Sequence, residues 1–240
     1  MSSTVGSRTL LDALEKVRDP ELDEPITALG FVASAELSDD GDAEVHLRLP
    51  TYFCAPNCAY LMVADAYDAV SGLEGVRRAD VVLDDHFAAD AINDGVAARA
   101  GFVGSFSGEA VDELGGLRAD FLRKAVLAGT DRVCRPLVDA GAAPADLARL
   151  TIGEVPPSPA LDRLRRRRSE LGLPSGDDAL LLIEPRTGVP IASGGVPLHL
   201  RKARLTRTSL DANTGICRGM LRHRYPTSGP GTAEPGEEDR

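Results

Sequence analysis

Two cysteines four residues apart are the feature of this sequence with the clearest chemical potential. Cys54 and Cys58 lie where an apolar, strand-like run passes into a helical one, and Pro56 stands between them. At a helix N-terminus, unpaired backbone N–H groups and the positive end of the helix dipole favour the thiolate, the nucleophilic and metal-binding form of cysteine. The segment is therefore expected to bind metal or to carry a reactive thiol. The alternative is that one or both cysteines are small buried hydrophobes.

Two acidic residues precede this segment at a helix end. Apolar residues between Leu10 and Val17 recur at three- and four-residue steps, and Asp19-Pro20-Glu21 ends that helix because proline cannot continue it. Two interpretations of Asp19 and Glu21 are open. Their carboxylates accept nearby backbone N–H groups as part of the helix stop, or they lie near the thiols as hard co-ligands for iron.

The remaining cysteines and one histidine are weaker candidates. Cys134 lies on a predicted helix between Val133 and Leu137, Cys217 lies between Ile216 and Arg218, and such thiols are more often core residues. Together with Cys54 and Cys58 they could form a four-thiolate site if the two halves of the chain fold onto each other. His86 follows the last strand of the first half and is either a metal ligand or a solvated strand end.

A small two-layer unit accounts for the first part of the chain. Its predicted elements are helices over residues 10–17 and 59–70 and strands over residues 31–37, 43–49 and 76–83. The order α-β-β-α-β implies a small sheet with helices on one face. The fold class is therefore predicted as α+β, with an N-terminal domain over residues 7–95 and a boundary in the Gly-rich stretch that follows.

The second part is predicted as a helical segment followed by a small β-rich module, together spanning residues 105–225. The helices are expected between Val111 and Gly129, over residues 133–140 and 144–150, and from Ser158-Pro159 to Gly172. The strands are expected over residues 180–184, 189–192, 196–208 and 216–225. Residues 226–240 are rich in Pro, Gly and Glu and are predicted to be a disordered tail.

Charge divides the chain in the same place. Residues 1–95 contain 19 acidic and 6 basic residues, whereas the rest contains 18 acidic and 21 basic residues. The acidic and basic parts are expected either to attract each other or to bind different partners. Within the basic part, Arg165, Arg166, Arg167 and Arg168 are predicted to form a solvated collar on a helix that docks an acidic protein surface.

Composition narrows the class of protein. The chain has 240 residues, of which 43% are hydrophobic and 27% charged, and this mixture excludes a membrane-spanning protein. An acidic total charge, no tryptophan and no binding motif argue against a nucleic-acid partner. The N-terminus has no signal-peptide pattern, and four cysteines are too sparse for a disulfide framework, so we expect a cytoplasmic protein with free thiols.

Over residues 7–85 the chain resembles the SufT- and PaaD-type metal-sulfur cluster assembly factors, which include the eukaryotic cytosolic iron-sulfur targeting component. The resemblance lies in the order and spacing of Val17-Arg18-Asp19-Pro20-Glu21-Leu22, Ala28-Leu29-Gly30-Phe31-Val32, Pro50-Thr51 and Leu73-Glu74-Gly75-Val76. It implies a non-enzymatic, chaperone-like accessory factor that handles iron or an iron-sulfur cluster transiently and matures the metal centre of a recipient.

The family has one reactive cysteine at the start of its second helix, whereas this chain has two. Counting forward from Thr51 favours Cys54, and counting back from Gly75 falls near Pro56, between the thiols. The choice between Cys54 and Cys58 is therefore open, and both are expected to bind the cargo.

The resemblance leaves the recipient undetermined. It is expected to be an iron-sulfur protein or the di-iron hydroxylase of a multicomponent monooxygenase, because longer bacterial proteins similar to this one accompany such systems. A homodimer is a further expectation. Two other classes stay open: a thiol-dependent enzyme or redox protein, although no histidine lies near the cysteines in sequence, and an adaptor or chaperone with structural cysteines.

Overall fold

The computed structural model describes residues 2–226, with side chains from residue 6 onward. The predicted tail therefore lies outside the described residues, except for Pro226. The helices are α1 (Ser2–Leu14), α2 (Ile26–Leu29), α3 (Pro56–Ser71), α4 (Ala89–Ala97), α5 (Gly101–Ser105), α6 (Gly115–Asp139), α7 (Pro144–Leu147), α8 (Pro159–Glu170) and α9 (Val196–Arg224). The strands are β1 (Val32–Leu37), β2 (Asp42–Arg48) and β3 (Arg78–Asp84).

The strands form one sheet in the order β1-β2-β3. β1 and β2 are antiparallel, with Val45 opposite Ala35, and β2 and β3 are parallel, with Val45 opposite Val81. The hairpin turn needs a glycine at position 41, where φ is +84° and a Cβ would lie 2.5 Å from the carbonyl oxygen of Gly75. α3 makes the crossover that a parallel pair requires. The predicted α-β-β-α-β order is confirmed.

The first hydrophobic core lies between this sheet and the helices on one of its faces. Side chains alternate along β2, so Ala43, Val45 and Leu47 are buried. They pack with Leu10 of α1 and Val63 of α3, both of which are fully buried. Burial of each such aliphatic side chain stabilises the fold by about 1.5–3 kcal/mol. The core therefore fixes the C-terminal end of β2. The cysteine segment, which carries Cys54 and Cys58, begins there.

The second half is helical, and the predicted β-rich module is wrong. Residues 196–224 form α9, and the expected strands near residues 183 and 190 are reduced to isolated bridges. The buried residues of α9 are Val196, His199, Ala203, Leu210, Thr214 and Leu221. They follow the three- and four-residue steps of a helix stripe, which accounts for the fold that forms. The α+β class itself is confirmed.

Two smaller expectations for the second half also change. Part of the Gly-rich stretch in which the domain boundary was expected forms α5, and α6 continues past Gly129, where a helix end was expected. Gly129 lies against α8 there, and a Cβ would meet Cδ1 of Leu164 at an ordinary contact distance of 3.4 Å. The predicted start of α8 is confirmed, because the Ser158 side chain accepts the N–H of Leu161 at 3.2 Å.

The two halves contact each other directly. Leu221 of α9 belongs to the first core, whereas α6 and α8 share a second core with Leu181 and Leu182. Ion pairs also join the halves: Arg118–Asp65 at 2.7 Å, Arg163–Glu24 at 3.2 Å, Arg167–Asp23 at 2.6 Å and Arg224–Asp85 at 2.5 Å. The basic part therefore does attract the acidic part. Among the described helices, none is long and apolar enough to cross a membrane.

Candidate functional site

The cysteine segment forms the start of α3. Pro56 is the first helical residue and Ala55 the N-cap, so Cys54 lies just before the helix and Cys58 at its third position. Proline suits this position because its fixed φ matches the helix and its missing N–H would have no intrahelical partner. Cys54 is half-buried, and its Sγ lies 3.3 Å from Oγ1 of Thr51, whereas Cys58 is buried.

The predicted ligands converge on one cavity of about 250 Å³. Cys54 and Cys58 line it from the α3 side, and Asp19 and Glu21 line it from the segment after α1. A third thiol, Cys217 of α9, also lines this cavity. Leu22, Phe31, Leu49, Met62 and Ile216 make much of the remaining wall apolar. The carboxylates and thiols predicted from the sequence are thus neighbours in space, although Asp19 and Cys58 are 39 positions apart in the chain.

Asp19 forms part of the helix stop and also lies beside the thiols. Its Oδ1 accepts the backbone N–H groups of Glu21 at 2.9 Å and Leu22 at 2.8 Å, which closes the turn after α1. The same side chain lines the cavity beside the thiols. Burial raises the pKa of Asp19 to about 6, against the opposing effect of the two N–H bonds. The helix stop therefore holds a carboxylate in position at the cavity wall.

The prediction of a thiolate at the helix N-terminus is wrong for Cys58. Burial, followed by the charges of Asp19 and Glu21, raises the pKa of the Cys58 thiol from 9.0 to about 12. A helix end is worth only about 0.3–1 kcal/mol, less than the roughly 1.4 kcal/mol of one pKa unit. Desolvation therefore outweighs the dipole, and the Cys58 thiol is protonated in the folded chain.

The His86 side chain holds the cysteine segment by a bond to its backbone. His86 is buried, so the prediction that it is a solvated strand end is wrong. Its Nε2 lies 2.8 Å from the carbonyl oxygen of Cys54, and its Nδ1 accepts the N–H of Ala88 at 3.2 Å. This pattern assigns the proton to Nε2, which donates to Cys54. Both ring nitrogens are therefore engaged with the backbone, and the imidazole positions the segment that carries the cavity thiol.

Cys134 is remote from this cavity. It is 1% exposed in the second core, and burial raises the pKa of its thiol to about 12. The structure thus brings three of the four thiols to one cavity and leaves the fourth in a core. Within residues 2–226, no group of three or more His, Cys, Asp or Glu side chains is already arranged to hold a metal ion. The donor types suit iron, but the side chains must move to bind it.

The arginine run is not the solvated collar that the sequence predicts. Arg168 is completely buried and donates to the carbonyl oxygens of Leu180, at 2.9 Å, and Leu181. Arg167 is 7% exposed and is paired with Asp23. Arg168 points toward the segment before α9 and Arg167 toward the turn after α1, so both lie inside the protein. Arg166 is exposed, and Arg165 pairs with Asp177 at the surface.

An aromatic cluster beside the cavity was missed by the sequence reasoning. The rings of Tyr52, Phe53 and Phe87 lie with centroids 5.0 to 6.3 Å apart, and all three are exposed. Phe53 is 75% exposed and directly precedes Cys54. The adjacent pair Tyr52-Phe53 was a signal in the sequence, but the third ring comes from the loop after β3. An exposed apolar group of this kind is typical of an interaction surface.

Comparisons with known proteins identify relatives of the region that contains the thiols of α3. Residues 7–81 match the family model described as iron-sulfur cluster assembly protein. An uncharacterized protein of Methanocaldococcus jannaschii is 30% identical over 90 residues, which cover 38% of this chain and 93% of that protein. The crystal structure of a domain of unknown function from Bacillus anthracis is 23% identical, covers 42% of this chain and 94% of that one, and has a TM-score of 0.33.

Proposed function

We propose that this chain, which belongs through residues 7–81 to the iron-sulfur cluster assembly protein family, is a non-enzymatic accessory factor that passes iron or an iron-sulfur cluster to a recipient protein. The family match confirms the resemblance found in the sequence. The observation that carries the proposal is the convergence of Cys54, Cys58, Asp19 and Glu21 on one cavity. Each of these residues lies within the matched region.

The chemistry of these side chains suits iron as a transient cargo. Thiolates bind iron in clusters, and carboxylates are hard ligands for the free ion, so the cavity offers both kinds of donor. Cys54 is the accessible thiol and would meet the cargo first, while Cys58 lies deeper in the cavity. The cargo is held only until it passes to the recipient.

The surface around the cavity suggests how a recipient docks. The aromatic cluster Tyr52-Phe53-Phe87 borders the accessible thiol and offers an apolar contact. Exposed basic residues lie further along the chain, at Arg166, Arg201, Lys202, Arg204, Arg218 and Arg222. We propose that the recipient presents an acidic surface to these residues, whereas Arg167 and Arg168 serve the fold. The recipient is an iron-sulfur protein or the di-iron hydroxylase of a multicomponent monooxygenase.

Gene deletion with complementation tests this function in the cell. Loss of the chain should lower the iron content and activity of iron-sulfur enzymes, or of the di-iron hydroxylase, without lowering the amounts of these proteins. The wild-type chain should restore them, and Cys54→Ser with Cys58→Ser should not. Cys134→Ser, which changes a thiol outside the cavity, is the matched control and should complement.

Two results of that experiment would overturn the proposal. If neither class of metalloprotein loses iron after deletion, the chain does not act in maturation. If the double serine variant complements fully, Cys54 and Cys58 are structural and the adaptor alternative takes first place. The thiol-dependent enzyme is less favoured by the geometry, because both ring nitrogens of His86 already bond to the backbone and leave it unsuited to act as a base.

A further inference from the structure

Cys217 lies on the face of α9 that is turned toward the N-terminal half. Thr214 and Leu221 are buried on the same helix stripe, three and four residues away, whereas the neighbouring Ile216 is 59% exposed. Leu221 packs into the first core beside Gly30, where a Cβ would lie 3.3 Å from its Cδ2. The helix thus places Cys217 at the cavity that Cys54 and Cys58 line.

The end of α9 is bonded to Leu49, just before the cysteine segment, and to Asp85, in the loop after β3. Arg224 donates to the carbonyl oxygen of Leu49 at 3.1 Å and to that of Asp85 at 2.6 Å, and it pairs with the Asp85 carboxylate. The hydroxyl of Tyr225 donates to the same carboxylate at 2.9 Å, and the guanidinium of Arg48 lies 5.0 Å from the Tyr225 ring centroid. Leu49 precedes the cysteine segment, and Asp85 precedes His86, whose ring bonds to the carbonyl oxygen of Cys54. We name Arg224, Tyr225 and Asp85 the α9 latch.

We propose that Cys217 supplies a third thiolate to the metal or cluster held by Cys54 and Cys58, so that α9, which lies outside residues 7–81, completes the binding site. This inference rests on the proposed function and adds a ligand to it. Three thiolates would leave an iron bound there able to accept a further ligand, such as a carboxylate, a sulfide or a side chain of the recipient. Such an open position is what transfer requires.

The shared cavity supports this placement, because Cys217 lines it together with Cys54, Cys58, Asp19 and Glu21. The cavity of about 250 Å³ exceeds the roughly 30 Å³ that one water occupies, and thus has room for a metal ion with more than one exchangeable ligand.

Anaerobic titration of the full chain with Co²⁺ tests the inference, since Co²⁺ bound to thiolates gives a charge-transfer absorption that grows with the number of sulfur ligands. The wild type should show the intensity of three thiolates. Cys217→Ser should lose about one third of it, because two thiolates remain. Cys134→Ser, the matched control, should keep the full intensity. Thermal unfolding of each variant shows whether it is folded.

X-ray absorption on the Co²⁺-loaded wild type makes the test independent of any variant. Three sulfur neighbours at about 2.3 Å support the inference. Two sulfurs, together with an unchanged spectrum for Cys217→Ser, overturn it and leave the proposed function intact. Absence of any cobalt-thiolate absorption in the wild type overturns the proposed function and, with it, this inference.

The latch offers a second measurement that keeps all four thiols. Tyr225→Phe removes only the hydroxyl bonded to Asp85, whereas Arg224→Gln keeps that hydroxyl and removes the ion pair with Asp85. If the latch positions Cys217, Arg224→Gln should weaken Co²⁺ binding by about 10-fold or more, as loss of a ligand-orienting contact does. Arg222→Gln, two residues away and exposed, should bind as the wild type does. Equal affinities for Arg224→Gln and Arg222→Gln would show that α9 does not position a ligand.

Discussion

The adjacent residues Arg166 and Arg167 allow the packing of α8 to be tested with one matched pair of variants. Arg167 is paired with Asp23 at 2.6 Å, with side-chain exposures of 9% and 5%, whereas Arg166 is exposed. Asp23 lies in the turn that follows Asp19, so the pair fastens α8 to the segment that carries the cavity carboxylates. Arg167→Met removes the charge and leaves the Asp23 carboxylate buried.

The expected loss of stability is large. Breaking a buried ion pair by removing one partner costs about 3–5 kcal/mol, because a buried charge remains uncompensated. In this protein Oδ2 of Asp23 already has no hydrogen-bond partner among the described residues, so loss of the bond to Oδ1 is not offset there. The nearby guanidinium of Arg18 partly compensates the charge, and we expect about 3 kcal/mol. Arg166→Met should change the free energy of unfolding by no more than about 0.5 kcal/mol.

Urea denaturation measures this difference. With a slope of about 2 kcal/mol per molar urea, the midpoint of Arg167→Met should fall by roughly 1.5 M. Asp23→Asn together with Arg167→Met should recover part of the loss, because no buried charge is left unpaired. If the Arg166→Met and Arg167→Met midpoints coincide, the ion pair does not stabilise the fold, and the intramolecular role of Arg167 is refuted.

Three further predictions concern the cysteines, the sheet and the chain connection. Iodoacetamide at pH 8 should modify Cys54 before Cys58, since a thiol pKa of about 12 leaves Cys58 a thiolate fraction of about 10⁻⁴. Hydrogen bonds to Glu44 and Asp84 raise the pKa of His46 above its ordinary 6.5, and NMR titration should show this. Protease should cut the exposed segment 107–116, and the two fragments should stay associated in gel filtration because α9 packs into the first core.

Each of these predictions has a result that would contradict it. Cys58 labelled first would show that the start of α3 opens in solution. For His46, the charged ring stabilises the fold fully below pH 6.5, and this contribution is lost as the pH rises through the raised pKa. Asp84→Asn should therefore bring the His46 titration closer to 6.5, and an unchanged titration would contradict the contact. Fragments that separate without denaturant would favour the independent domains 7–95 and 105–225.

The first half could be predicted from sequence because its signals are local. Alternation in β2 and the three- and four-residue spacing of α1 and α3 give each element its period, and Gly41 marks the hairpin turn. The predicted cavity ligands of this half also came together, since the elements that hold them are adjacent in the fold. The protonation of Cys58 was beyond the sequence, because desolvation depends on what covers the thiol.

The prediction for the second half was wrong where local and long-range signals in the sequence disagree. Thr, Arg and Leu in the first part of α9 resemble a half-exposed strand, yet the stripe from Val196 to Leu221 fits a helix of 29 residues. Arg167 and Arg168 were predicted to be solvated because their partners could not be identified from sequence. Asp23 is remote from Arg167 in the chain, and the carbonyl of Leu180, which Arg168 contacts, lies in a segment without regular secondary structure. The approach of Cys217 to the cavity depends on the same misassigned helix, so the sequence could not place it.

Iron and acid-labile sulfide content after anaerobic reconstitution tests the central claim most directly. The full chain and its Cys54→Ser with Cys58→Ser variant should be compared, with folding of both checked by circular dichroism. The wild type should retain iron with labile sulfide after gel filtration, and the double variant should retain little of either. A double variant that retains as much iron as the wild type, or a wild type that retains none, would contradict a cysteine-based role in iron-sulfur cluster assembly.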